Sequence, residues 1–219
     1  MNDSTDDLIR LAHVGMHPDR LRGLVTKAGS PGRILRQIQR GNLKVPEEAR
    51  KAAAVPAAER RERLLRARID LVLPSDDGFP ERLSNLPDAP LFLFQRGPVF
   101  EGTAVAIVGT RACTVYGRRM AERYGEAVSK AGWSVVSGLA KGIDGAAHRG
   151  SLLGPAPGIA VLGSGVDVWY PRQHRDLGES ILDAGGTVWS EAPPGARPLG
   201  WRFPPIHRNM GYTSRSQFI

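Results

Sequence analysis

The chain is poor in cysteine, in lysine and in long apolar runs. Its single cysteine, Cys113, excludes an internal disulfide framework and a zinc site built from several thiolates. No apolar run approaches the roughly 18 residues that a membrane span needs. The acidic start MNDSTDDLIR also lacks the basic and apolar regions of a secretion signal. These absences predict a soluble cytoplasmic protein that has no membrane partner.

Positive charge is what the sequence has in surplus. Lys and Arg total 30 against 22 Asp and Glu, which gives a net charge of +8 and a pI near 10.2. Most of these cations are arginines, whose planar guanidinium suits bidentate contacts with phosphate. The balance favours a polyanion such as nucleic acid as partner, although a solvated arginine-rich surface would give the same numbers.

The first part of the chain shows helical periodicity. Apolar residues recur at helical spacing between residues 6 and 40, and residues 47–68 read as helix broken near Pro56. We therefore predict a helical N-terminal module over residues 1–60. Residues 61–100 form a connecting segment that contains two short strands, IDLVLP and LFLFQRG.

From residue 101 to residue 219 the pattern changes to strands and helices in alternation, which is typical of an α/β domain with a mostly parallel sheet. The predicted strands AVAIVG, WSVVSG, GIAVLG and GTVWSE each end in a small or polar residue. Ligands of open α/β sheets bind outside the carboxyl ends of the strands. The loops GTR, SGLAKG and GSG are therefore expected to share one crevice.

The common nucleotide-binding fingerprints are missing. Val168 stands where the third glycine of G-x-G-x-x-G would fall in GSGVDV, and no G-x-x-x-x-G-K-[ST] occurs. NAD binding and ATP hydrolysis are thereby disfavoured, and we expect no cofactor. The chain could still bind an anion by the same physical means as those motifs. Glycine lets backbone N–H groups approach an anion closely, and the N-terminus of the following helix also favours negative charge.

Two of these loops add a cation to the glycines. Gly109 permits a turn, Thr110 offers a hydroxyl, and Arg111 can form a forked contact with phosphate. In the second loop Lys141 stands between Gly138 and Gly142, directly before a helix. The glycines could instead serve tight packing, with a merely solvated lysine. We favour the anion site, because two cations on neighbouring strand ends would otherwise repel each other without compensation.

Asp144 and His148 are four residues apart and share one face of that helix. An acid–base pair is conceivable, but the sequence shows no nucleophile elbow and no H-E-x-x-H motif. We expect Asp144 to orient the loop by hydrogen bonding, and His148 to pack at a helix–sheet seam or to donate to a phosphate. The prediction is a binding protein, not an enzyme, and one without a metal.

The ordered set VAIVGTR, SGLAKGIDGAAH, AVLGSGVDVWYP, SEAPPG and RFP resembles the DNA-processing protein A family, also called DprA or Smf, over about residues 60–205. The resemblance implies an extended Rossmann-like domain that binds single-stranded DNA. It also implies that the protein protects incoming strands during natural transformation, passes them to the RecA recombinase and can form a homodimer. No cofactor is known to be required in the family.

The resemblance also assigns residues to the DNA site. Arg111 and Lys141 match the family's DNA-phosphate pocket, and Arg208 and Asn209 approximate its R-N-R motif. After about residue 205 the sequence departs from the family pattern, so we expect a chain that is truncated or divergent where family members dimerise and contact RecA. The full candidate set for nucleic-acid binding is Gly109, Thr110, Arg111, Ser137, Gly138, Lys141, Gly142, Asp144, His148, Gly163, Ser164, Gly165, Arg208 and Asn209.

Two other readings stay open on the sequence alone. One is a small-nucleotide enzyme on a related fold, such as a nucleotide glycosidase. Asp144 and Glu191 would be its acids, but the sequence SEAPPGARPLG only approximates the loop that such an enzyme needs. The other is an inactive fragment that folds poorly. Release of base from nucleoside monophosphates would test the first of these, and thermal melting would test the second.

Overall fold

The computed structural model describes residues 3–213 and 216–218. The chain begins with five helices: α1 (Asp3–Ala12), α2 (Pro18–Ala28), α3 (Pro31–Gln39), α4 (Glu47–Ala54) and α5 (Ala57–Arg66). Proline occupies the first turn of α2 and of α3, where its missing N–H costs nothing. Gly29 ends α2 in a left-handed conformation, with φ of 71°. Pro56 separates α4 from α5, as the sequence predicts.

A seven-stranded sheet follows. Its strands are β1 (Asp70–Val72), β2 (Leu93–Arg96), β3 (Ala104–Ile107), β4 (Ser134–Ser137), β5 (Ile159–Val161), β6 (Thr187–Ser190) and β7 (Ser216–Phe218). They lie in the order β1-β2-β6-β5-β4-β3-β7. The pairs from β6 to β7 are parallel, while β2 pairs antiparallel with both β1 and β6. The prediction of an α/β fold with a mostly parallel sheet is confirmed.

The parallel strands are rich in apolar residues because both faces of the sheet are covered. Every residue of β3, β4, β5 and β6 is buried. The covering helices are α6 (Glu81–Ser84), α7 (Val115–Lys130), α8 (Ile143–Ser151), α9 (Arg175–Asp183) and α10 (Phe203–Thr213). Short 3₁₀ turns at Arg172–His174 and Gly200–Arg202 precede α9 and α10.

Two glycines let α7 and α8 cross with their backbones in contact. A Cβ on Gly125 would overlap the carbonyl oxygen of Ala147, and one on Gly150 would overlap that of Glu122. Only a residue without a side chain fits at either position. The crossing packs the middle of α7 against the second half of α8.

The N-terminal helices and the sheet share one hydrophobic core. Leu11, Ile34 and Leu64 of the helices belong to the same buried cluster as Phe94 of β2 and Val188 of β6. The division of the chain at residues 60 and 100 stays a prediction. In the part of the chain that the structure describes, no helix is both long enough and apolar enough to cross a membrane.

Candidate functional site

The loops that follow β3, β4 and β5 open onto a common cavity of about 460 Å³. It lies outside the carboxyl ends of these parallel strands, where ligands of open α/β sheets bind. Helix α10 closes one side of it. Fourteen residues are predicted from the sequence to bind nucleic acid. Those that line the cavity are Gly109, Arg111, Gly138, Lys141, Asp144, Gly163 and Ser164.

The two cations reach the cavity from loops that are in direct backbone contact. Gly142 has φ of 79°, and a Cβ on it would overlap the carbonyl oxygen of Thr110. The next residue, Ile143, donates its N–H to the same oxygen at 3.3 Å. This contact fixes the Lys141 loop against the Arg111 loop. Both side chains consequently line one cavity, where their positive charges add.

The carboxylate of Asp144 ties the β3 and β4 loops together. It accepts N–H bonds from Gly109 at 3.4 Å and from Gly138 at 3.1 Å. Burial raises the pKa of this carboxyl group, while the bonds from the Gly109, Gly138 and Ala140 backbone oppose that rise. Its polar contacts are therefore with the protein's own loops, which is the orienting role that the sequence suggests.

The third loop is held by its own side chains and by a neighbouring segment. The buried hydroxyl of Ser164 donates to the carbonyl oxygen of Val168 at 2.6 Å. Gly165 donates its N–H to the carbonyl oxygen of Ala196 at 2.9 Å, and it lies outside the cavity lining. Gly163 packs close to Ile206 of α10, where a Cβ would come within 2.8 Å of the Ile206 Cδ1 atom.

Two nominated residues lie beneath the site. Ser137 is buried, and its hydroxyl donates to the carbonyl oxygen of Ile107 at 2.6 Å. His148 is fully buried, and neither of its ring nitrogens has a hydrogen-bond partner. Burial lowers the pKa of His148 to about 4; His174 and Arg149 add to this effect, and the Ser137 backbone opposes it. The suggestion that His148 donates to a phosphate is therefore wrong for this structure, whereas its alternative, packing between helix and sheet, agrees with the burial.

Arg208 and Asn209 are also turned away from the cavity. Both contact Glu191, which follows β6: the Arg208 guanidinium forms an ion pair with its carboxylate, and Asn209 donates to it at 3.0 Å. Arg208 also donates to the backbone oxygen of Asp88 at 2.8 Å. The side chain of Arg208 is 9% exposed. These contacts hold α10 against the sheet, and the assignment of both residues as DNA contacts stays a prediction.

Several cavity residues have no local sequence signal. Ile206, His207, Met210 and Gly211 come from α10, and the chain reaches that helix only after crossing the sheet from β6. Tyr170 and Pro171 line the opposite side, after the GSG loop. Tyr170 follows the glycine-rich end of β5 by a few residues, and that position is the one sequence feature from which its place in the cavity could have been predicted. Most of the exposed cavity wall is apolar.

Replacing Gly142 by alanine tests whether the two cationic loops depend on each other. The added Cβ would overlap the Thr110 carbonyl, so we expect a loss of about 1–3 kcal/mol in unfolding free energy together with weaker anion binding. Gly185→Ala is the matched control, because Gly185 has the same φ of 79° but open space around it. The control should cost only about 1 kcal/mol. Equal losses of stability in urea titrations would contradict the proposed loop contact.

In the chain as described here, no group of three or more His, Cys, Asp or Glu side chains is placed to hold a metal ion. By class, the chain is a Rossmann-like α/β protein with a cation-lined cavity at the carboxyl ends of its parallel strands. It belongs to the DNA recombination-mediator protein A family, DprA or Smf, whose model matches residues 70–216.

Sequence relatives cover most of the chain. Protein Smf of Escherichia coli (strain K12) is 32% identical over 217 residues, which are 98% of this chain and 55% of that protein. DNA processing protein DprA of Streptococcus pneumoniae is 39% identical over 146 residues, which are 66% of this chain and 51% of that protein. The chain thus spans about half the length of these relatives.

Solved structures show the same fold. The X-ray structure of DNA processing protein A from Streptococcus pneumoniae superposes with a TM-score of 0.76 at 27% identity, covering 99% of this chain and 77% of that chain. DNA processing protein A from Helicobacter pylori superposes with a TM-score of 0.59 at 24% identity, covering 68% of this chain and 67% of that chain. The second likeness concerns the fold alone.

Proposed function

We propose that this protein binds single-stranded DNA at the cavity that Arg111 and Lys141 line, as a DNA-processing protein of natural transformation. It would protect incoming strands in the cytoplasm and pass them to the RecA recombinase. The observation that carries the proposal is the backbone contact between the Lys141 and Arg111 loops, which brings two cations to one cavity. Residues 101–219 would carry the binding.

The chemistry of the cavity fits a nucleic acid strand. Cations and the N–H groups of glycine-rich loops suit phosphate, and the apolar walls offer contact area to sugars and bases. Family membership supports the same partner, since a protein with the family's name, DNA processing protein A from Helicobacter pylori, has a single-stranded DNA binding mode. The proposed role is binding without catalysis, and a homodimer would offer two such cavities to one strand.

The alternative of a nucleotide glycosidase has less support, because both of its candidate acids make contacts within the protein. Glu191 is paired with Arg208 and Asn209 and lies outside the cavity lining. Asp144 accepts N–H bonds from two loops that it holds in place. Asp144 does line the cavity, so the structure removes only Glu191 from the position that a catalytic acid would need.

Reversing both charges tests the proposed function. In Arg111→Glu/Lys141→Glu we expect at least a tenfold loss of affinity for labelled oligothymidylate of about 20 nucleotides. Loss of about two phosphate contacts should also make the negative slope of log K against log salt shallower by roughly 1.4. Fluorescence anisotropy across a salt series measures both quantities, with duplex DNA of the same length as the comparison.

The matched control is Arg40→Glu/Lys51→Glu, which makes the same change of charge at two exposed positions of the N-terminal helices. It should retain nearly all of the wild-type affinity. The proposal fails if both double variants lose affinity equally, since the effect would then come from net charge. It also fails if the wild-type protein binds duplex as tightly as single strand.

A further inference from the structure

Helix α7 begins four residues after Arg111, which lines the cavity, and it carries an exposed aromatic and basic face. The loop that holds Arg111 leads directly into α7, and Thr114 caps the helix by accepting the N–H of Gly117 at 3.0 Å. Tyr116, in the first turn, is 72% exposed. A tyrosine with so much of its ring in water has apolar area that a ligand could cover.

Two arginines continue this face along the helix. Arg119 and Arg123 follow Tyr116 at spacings of three and seven residues, which places all three side chains on one side of α7 over about 10 Å. Both arginines are exposed. We call Tyr116, Arg119 and Arg123 the α7 stripe.

The charge of the α7 stripe is not neutralised by ion pairs. The ion pairs formed by side chains in the described ranges, 3–213 and 216–218, leave out Arg119 and Arg123. Glu126, the nearest acid along the helix after Arg123, pairs with Lys130 at 2.6 Å. An exposed ring followed by two uncompensated guanidiniums is the combination that binds single strands, by base stacking and by phosphate contact.

We propose that the α7 stripe is a second contact surface for single-stranded DNA, which continues the strand's path away from the cavity. Tyr116 stacks on one base, and Arg119 and Arg123 contact phosphates beyond it. The proposal rests on the proposed function, because the strand that reaches α7 is the one held at the cavity. A short strand would fill the cavity alone, whereas a longer strand would occupy both surfaces.

Oligomer length separates the two surfaces. The probes are labelled oligothymidylates of about 5 and about 20 nucleotides, which bracket the usual site sizes of single-strand binding proteins. In Arg119→Gln/Arg123→Gln we expect the longer probe to bind about tenfold more weakly. The negative slope of log K against log salt should become shallower by about 1.4. The shorter probe should bind as it does to the wild-type protein. The matched control is Arg36→Gln/Arg40→Gln, an exposed pair at the same spacing in which Arg36 lies on α3 and Arg40 directly follows it.

The tyrosine is tested separately. Tyr116→Ala should weaken binding of the longer probe by about tenfold, and Tyr116→Phe should restore it, because stacking needs the ring and not the hydroxyl. The proposal is overturned if the stripe variants bind the longer probe like the wild type, or if they lose both probes equally. Failure of the proposed function gives a different result: the wild type would then bind neither probe, or Arg111→Glu/Lys141→Glu would bind both normally.

Discussion

Glu191→Ala is expected to destabilise the protein by about 3 kcal/mol, the lower end of the range for breaking a buried ion pair. The side chain of Glu191 is 11% exposed and that of Arg208 is 9% exposed, so the substitution leaves a largely buried cation without its main partner. Asp88 still accepts from Arg208, which is why we expect the lower end. Asn209 loses its acceptor at the same time.

Urea unfolding at neutral pH measures this effect. Glu62→Ala is the control, since Glu62 pairs with Arg66 at the surface with 59% and 76% of the two side chains exposed. An exposed pair of this kind contributes under about 1 kcal/mol. If Glu191→Ala costs no more than the control, Arg208 and Glu191 do not form the buried connection between α10 and β6. Loss of that connection should also weaken DNA binding, because α10 forms one wall of the cavity.

The second large effect is expected on acidification. The pKa of His148 falls from 6.5 to about 4 on folding. Between pH 6.5 and about pH 4 this residue is therefore protonated in the unfolded chain and neutral in the folded protein. Stability therefore decreases as pH falls through this window, by about 3 kcal/mol from His148. Burial lowers the pKa of His13 to about 4 as well, so this residue adds a loss of the same sign.

Comparing His148→Leu with the wild type isolates the contribution of one residue. The side chain of His148 is fully buried among packed elements, so leucine, of similar volume, should be tolerated. Burial raises the pKa values of Asp144 and Glu191, which opposes the acid loss in both proteins and cancels in the difference. Urea titrations from well above pH 6.5 down to about pH 4 should show the difference between the proteins changing by about 3 kcal/mol. A constant difference would show that His148 is protonated alike in the folded and unfolded chains.

The parallel sheet and its ligand edge were predictable because their signals are local. The run AVAIVG is apolar throughout and WSVVSG has a valine pair at its centre, as is typical of strands covered on both faces. Parallel strands end at one edge, so residues just after two adjacent strands must meet there. The placement of Arg111 and Lys141 on one cavity follows from that geometry alone.

The residues that could not be placed from sequence depend on distant contacts. Arg208 and Asn209 follow a motif that suggests DNA contact, yet their side chains pair with Glu191 from the end of another strand. His148 shares a helix face with Asp144 and is nevertheless fully buried, because α8 packs against both α7 and the sheet. The wall that α10 gives to the cavity arises from a crossover over the whole sheet.

The sequence by itself determined the order of strands and helices, the glycine-rich turns and the placement of two cations at neighbouring strand ends, because each depends on residues close together along the chain. The tertiary structure decided which polar side chains face the cavity and which form hydrogen bonds or ion pairs within the protein. The physical reason is that burial requires a partner for each polar group, and that partner is chosen by how the elements pack, which local spacing does not encode.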